Sequence, residues 1–194
     1  MKKIYILLVL ITTAASGQSN SEENKSNTNK ETANWQKFTG ANYAIEYPTN
    51  WQLTEFLQKG IPFCVFSPLE NEVDKFKENI NLMIQDLSGR NIDLNKYVAL
   101  SEEQVKTMVP NSSLLESKRI KSGDTEFHKV IYTGVQNNFH LQFEQHYWVI
   151  NQKAYILTLT CEQKKFADYQ ILGEKILNSF VLNKNNTIQN IHSL

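Results

Sequence analysis

The spacing of apolar residues changes period several times along the chain. Tyr43-Ala44-Ile45-Glu46-Tyr47 alternates at period two and stops at Pro48, whose missing N–H cannot extend a ladder. This predicts a strand. Shorter extended segments follow at Trp51–Leu57, Pro62–Phe66 and Ile80–Ile84, punctuated by Ser67-Pro68 and Ser88-Gly89. A helical period then sets in. Leu94, Tyr97, Val98, Val105 and Met108 form one stripe over about Leu94–Val109. Asp93 is placed to cap this helix and Pro110 to stop it. A short strand is expected at Ser117–Ile120 and a turn at Gly123-Asp124. Glu126–Val135, Phe139–Ile150 and Ala154–Glu162 read as three long strands, joined by Gln136-Asn137-Asn138 and Asn151-Gln152-Lys153. Joints this short and this rich in turn residues predict an antiparallel meander. The widest stripe comes last: Phe166, Tyr169, Leu172, Gly173, Ile176, Leu177 and Phe180 share one helix face. That face packs on the sheet, and Gly173 within it predicts a close approach to a strand.

Strands, a helix, more strands and a final helix do not make the βαβ alternation of a parallel sheet. The expected class is α+β, an antiparallel sheet with helices packed on it.

The N-terminus breaks this pattern. Lys2 and Lys3 precede an apolar run, Ile4–Ile11, and then the small residues of Thr12–Gly17. This is the layout of a secretory signal peptide over 1–17, with Ala15-Ser16-Gly17 at the cleavage point before Gln18. The run is far shorter than the roughly 20 apolar residues of a membrane span. Residues 14–18 read Ala-Ala-Ser-Gly-Gln and hold no Cys to carry a lipid. The expected product is therefore soluble, without a membrane anchor, and periplasmic or secreted. Residues 18–34 are almost wholly polar and predict a disordered leader, because they bury too little to offset their ordering entropy. The Asn-rich stretch 183–194 predicts a flexible tail. One folded domain is expected over 35–182.

Charge narrows the partners. The chain carries 20 basic and 20 acidic residues; without Lys2 and Lys3 the count is 18 to 20, a formal −2. Nucleic-acid binding is not expected without a basic excess or stripe. Basic and acidic residues interleave, as in Glu116-Ser117-Lys118-Arg119, the pattern of a solvated face. No GxSxG, P-loop or HExxH sequence is present, and Ser101-Glu102-Glu103 reads as an exposed helix face. No catalytic residue, cofactor or resident metal is assigned, and an enzyme is not expected.

Two residue sets stay open at this stage. Cys64 and Cys161 both fall in predicted strands. A bridge between them would close a loop of about 100 residues and contribute up to ~4.7 kcal/mol, but it needs Cα atoms within roughly 7 Å. The alternative is two small buried hydrophobes. On Phe139–Ile150, His140, Gln142, Glu144, His146 and Trp148 share one face. His128 joins Glu144 and His146 as a third metal ligand only if the preceding strand pairs at even offset; a two-residue loop puts it on the other face.

The segment Tyr43-Ala44-Ile45-Glu46-Tyr47-Pro48-Thr49-Asn50-Trp51 resembles the opening signature of PsbP-like proteins. Phe66-Ser67-Pro68, Asn79-Ile80-Asn81-Leu82, a helix, His128-Lys129-x-x-Tyr132 and a final amphipathic helix follow in the family's order. The resemblance covers about 36–182. It implies a central antiparallel sheet of about six strands with helices on both sides, an α/β/α sandwich. It does not imply one activity, since the family's members are assembly or interaction modules rather than enzymes. The functional expectation is an exported, non-enzymatic interaction or assembly module of the cell envelope, partnered by another envelope protein. The alternative is a carrier of a small molecule in an apolar pocket between sheet and helix.

Overall fold

The computed structural model describes residues 34–56, 60–122 and 125–183. The expected signal peptide, nearly all of the leader, the tail beyond Asn183, Leu57 and the Gly123-Asp124 turn lie outside the described residues.

Ten strands and two helices are described. They are β1 (Trp35–Thr39), β2 (Tyr43–Pro48), β3 (Gln52–Glu55), β4 (Phe63–Phe66), β5 (Asn79–Asp86), α1 (Leu94–Met108), β6 (Ser113–Ser122), β7 (Thr125–Gln136), β8 (Phe139–Ile150), β9 (Lys153–Glu162), α2 (Phe166–Asn178) and β10 (Val181–Leu182). The class is α+β, as expected. The large sheet has seven strands rather than six, in the order β3-β4-β5-β9-β8-β7-β6, and β1-β2-β10 form a separate small sheet. All pairings are antiparallel.

The meander forms on two-residue turns, one residue shorter than the joints read from the sequence. Asn137 and Asn138 have φ of 46° and 68°, and Asn151 and Gln152 have 50° and 56°. Left-handed φ at both central positions is the turn whose twist matches flanking strands. β6 is longer than the short strand anticipated, with a bulge between Leu114 and Glu116.

The seven-stranded sheet is covered on both faces. Tyr97, Val98 and Val105 of α1 pack on Tyr132, Leu141, Phe143 and Tyr147 of the sheet. Asp93 caps α1, its Oδ1 accepting from Lys96 N at 2.8 Å. Met108 departs from its expected place in the stripe and is 60% exposed, while Ser101 turns inward and donates to Tyr97 O. A hydroxyl bonded to the preceding helical turn is buried without an unpaired group, so the core-facing stripe runs through Ser101 and Val105 to Val109 just past the helix.

The opposite face carries α2 and the small sheet. Here Tyr43, Ile45, Tyr47 and Trp51 join Phe63, Leu157, Leu159, Ile176 and Phe180 in one core. The aromatics of the opening signature are thus packing residues. Phe38 and Tyr43 meet Phe63 at 5.3 and 5.8 Å between ring centroids, which sets the small sheet over β4. Gly173 performs the close approach expected of it. A Cβ there would lie 2.5 Å from Leu159 Cδ2, inside any real contact distance.

Candidate functional site

α2 runs across its face of the sheet and stops short of the β6–β7 side. Its last turn is held by Ser179, whose Oγ accepts from Glu46 N at 2.9 Å and lies 2.6 Å from Ile176 O. The chain then turns into β10, and Asn183 N donates to Asn42 O at 2.9 Å. Between this end of the upper layer and the sheet below lies a cleft of about 520 Å³. Its floor is Ile120, Phe127, His146, Trp148 and Ile150; its roof is Leu177, Asn178, Phe180, Val181 and Leu182. Phe127 and Phe180 sit 5.2 and 5.1 Å from the Trp148 ring, and Phe127 lies 4.5 Å from the His146 ring. These side chains are the walls of a cleft and part of the core at once. A recess of similar volume at the β7–β8 turn, bounded by Asn138, His140, Glu162 and Lys164, is more open.

A buried charge network runs from the cleft floor along β8. His146 Nε2 is 2.9 Å from Glu144 Oε1, and Lys129 Nζ is 3.1 Å from the same oxygen. Lys129 also reaches Glu174 on α2 at 3.1 Å. Glu144 is fully buried. Burial alone would raise its pKa, but His146 and Lys129 outweigh burial and hold it below the usual carboxylate value. Burial likewise opposes the charge on Lys129, and Glu144 and Glu174 overcome it, so its pKa is raised. Glu144 is thus an ionised acceptor, and Nε2 of His146 carries the hydrogen between them. Glu144 Oε2 and His146 Nδ1 are both buried without a hydrogen-bond partner. An unpartnered buried polar atom costs about 1–3 kcal/mol, so two in one network mark an incomplete arrangement.

The register decides the open histidine question. Lys129 pairs with His146, and His128 pairs with Tyr147 on the other face. The two-residue turn therefore puts an ammonium where a third metal ligand was considered. Of His128, His140, Glu144 and His146, only Glu144 and His146 come together. Lys129, the member that completes the network, was present in the sequence as β7's next residue; only the turn length assigns it to this face.

His128 has its own neighbours. Ser117 Oγ lies 2.7 Å from His128 Nε2, and Ser117 donates to Glu102. The residue types are those of a hydrolytic triad, but the wiring is not. The acid holds the serine rather than the imidazole, and His128 Nδ1 is buried with no partner.

A third cluster sits at the N-terminal end of α2. Ligand atoms of Glu70, Asp74 and Glu78 lie within 4.8 Å of one another. The cluster has its own cation: Lys165 Nζ is 3.0 Å from Asp74 and 3.2 Å from both Glu70 and Glu162. Burial disfavours a charged Lys165, yet Asp74, Glu162 and Glu70 together hold its pKa above the ordinary lysine value. Glu78, fully buried, is pushed up by desolvation.

Cys64 and Cys161 are free. Cys161 belongs to the core under α2, with Leu157 and Leu159. Cys64 alternates with Phe63 and Val65, which face that core, and so points to the other side of the sheet. The sheet itself separates the two thiols, and burial raises the pKa of each. Both are the small buried hydrophobes of the alternative reading.

No protein-family profile matches the chain, and no curated protein matches it. Solved structures do. The solution structure of cyanobacterial PsbP (CyanoP) from Synechocystis superposes with a TM-score of 0.55 at 13% identity, over 81% of this chain and 98% of that one. A Pseudomonas aeruginosa protein of unknown function, described as a putative regulator, gives 0.57 at 16% over 76% and 96%. LpqN of Mycobacterium tuberculosis, described as involved in cell envelope biogenesis, gives 0.59 at 12% over 79% and 87%. Identities this low establish the fold: the chain has the PsbP-like fold. No described helix is long and apolar enough to cross a membrane.

Proposed function

We propose that this protein is an exported, non-enzymatic module of the cell envelope that works by holding a small apolar ligand in the cleft beside the end of α2. One observation carries the reading: a formed concavity of about 520 Å³ with aromatic walls, open to solvent at the layer step. Ligand sites are typically concave, about 300–1,000 Å³, mostly apolar and provided with a few polar groups. The envelope setting is supported by the signal-like N-terminus and by the involvement of LpqN in cell envelope biogenesis. The absence of a correctly wired nucleophile at Ser117–His128 favours binding over chemistry. A docking patch for another protein is less well supported. Leu69, Val73, Met108, Leu114, Leu115, Ile171 and Val181 are exposed, but they come from five separate parts of the chain.

Titration of the purified protein with the apolar dye N-phenyl-1-naphthylamine tests this. Saturable fluorescence enhancement is expected, and Ile150→Trp, which fills the cleft from its half-buried rim, abolishes it. No enhancement in the parent, or full enhancement in the variant, overturns the reading. Cell fractionation tests the address: the mature chain should begin at Gln18 and appear outside the cytoplasm.

A further inference from the structure

Apart from Lys121, Asn178 and His146 the side chains that line the cleft are apolar, and of these three only His146 is buried, at 2% exposure. The imidazole is fixed. Phe127 lies against its face, Trp148 meets it edge-on at 5.9 Å, and Nε2 is bound to Glu144. In the neutral imidazole, with the hydrogen on Nε2 directed at Glu144 Oε1, Nδ1 is an acceptor with a lone pair. That atom has no partner, and Glu144, which satisfies Nε2, is not among the cleft walls. A ligand seated on the floor and carrying an O–H at its buried end would satisfy Nδ1, and a ligand without one would leave the acceptor unpaired. The rings beside it, Phe127, Trp148 and Phe180, touch in series at tilts of 34° and 45° and give the cleft an aromatic wall.

Resting on the cleft as the binding site, we infer that its ligand class is an aromatic hydroxyl compound. The phenolic O–H donates to His146 Nδ1, and the ring system lies along Phe127, Trp148 and Phe180. Nδ1 is itself buried, so binding includes a small local shift that lets the hydroxyl reach it.

Calorimetric titration with naphthol and with its methyl ether tests the hydrogen bond directly, because the two differ by the donor. Naphthol is expected to bind roughly 3- to 10-fold more tightly, the range of one neutral hydrogen bond. His146→Phe keeps a ring of similar shape and leaves Glu144 paired with Lys129; whatever its affinity for the ether, it should show no preference for naphthol over it. If that variant does not fold, nitrogen NMR of the parent imidazole supplies the readout. The Nδ1 resonance moves with naphthol and not with the ether. Equal affinities in the parent, a preference surviving in His146→Phe, or an unmoved Nδ1 resonance overturns the inference while leaving the cleft site intact. Failure of both compounds to bind overturns the inference together with the cleft reading.

Discussion

At the N-terminal end of α2, a lysine sits among carboxylates, with Glu70, Asp74 and Glu162 each within 3.2 Å of it; at the C-terminal end, aromatic side chains face an open step and an imidazole nitrogen goes without a partner. The same helix produces both. Lys165 precedes its first turn and ties the segment after β4 to the end of β9, since Asp74 lies between β4 and β5 and Glu162 ends β9. Leu177 and Phe180 follow from its last turn and roof the cleft. A group of acids that looks like a metal site is complete without one, because its cation is covalent to the chain. A set of apolar walls that looks like ordinary core leaves room. Satisfaction of polar groups, rather than their number, separates a structural clamp from a binding site.

If the N-terminal end is a clamp, its removal should cost stability and leave ligand binding alone. Lys165→Met strands Asp74, whose side chain is 3% exposed, and Glu162 at 16%. Loss of one partner of a buried ion pair costs about 3–5 kcal/mol. Denaturant unfolding should show a loss of this size, with dye affinity in the folded fraction unchanged. A cost under about 1 kcal/mol would end the distinction drawn between the two ends.

Gly173 lies between the ends and tests whether they move together. An added methyl meets the buried Leu159 side chain, and overpacking costs about 1–3 kcal/mol. The better helix propensity of alanine returns up to about 1 kcal/mol. Gly173→Ala should therefore destabilise by about 1 kcal/mol. Lifting α2 should also weaken dye binding at the C-terminal end; unchanged affinity would show that the cleft does not depend on helix seating.

Acid separates the clusters by sign. Burial raises the pKa of Asp74, but the Glu70 and Phe76 N–H groups and Lys165 outweigh it, and the folded value lies below 3.8. Glu144 likewise lies below 4.5. The stability both supply is full above their unfolded pKa values and is lost as pH falls through the folded ones. Glu78 is raised above 4.5, so its contribution has the opposite sign and appears as pH falls toward that value. Melting temperature should rise slightly on mild acidification and then drop below about pH 4. Lys165→Met should flatten the drop. A parent profile that falls steadily from neutral pH would contradict the burial assigned to Glu78.

The smallest stability effect is expected at the open end. Ile150 is half-buried on the cleft rim, and a larger apolar side chain there enters free space. Ile150→Trp should change stability by about 0.5 kcal/mol or less, the range of substitutions away from packed features. Its effect should fall on binding, the reverse of Lys165→Met. A loss above 2 kcal/mol would mean that the cleft is closed in solution.

Much of the fold was legible because local rules govern it. β8 begins and ends where its alternation does, and Asp93 and Gly173 act as their positions suggested. β1 and β10 were not read: Trp35–Thr39 is short and mixed, and Val181–Leu182 is too brief to show a period. Both exist by pairing with β2. Met108 misled because the inward position at the end of α1 is taken by the next residue, Val109, which is buried against Gly134 of β7.

The sequence by itself determined the element types, the antiparallel meander and the packing role of Tyr43, Tyr47 and Trp51. Each follows from periodicity or turn chemistry within a few residues. Tertiary structure alone decided the site. A turn of two residues rather than three sent His128 away from His146 and brought Lys129 in, since one residue of register exchanges the faces of a strand. The faces of Cys64 and Cys161, the counter-ion for Asp74 and the gap beyond Phe180 depend on contacts between segments far apart in the chain. No local pattern encodes those distances, because they are set by how the layers meet.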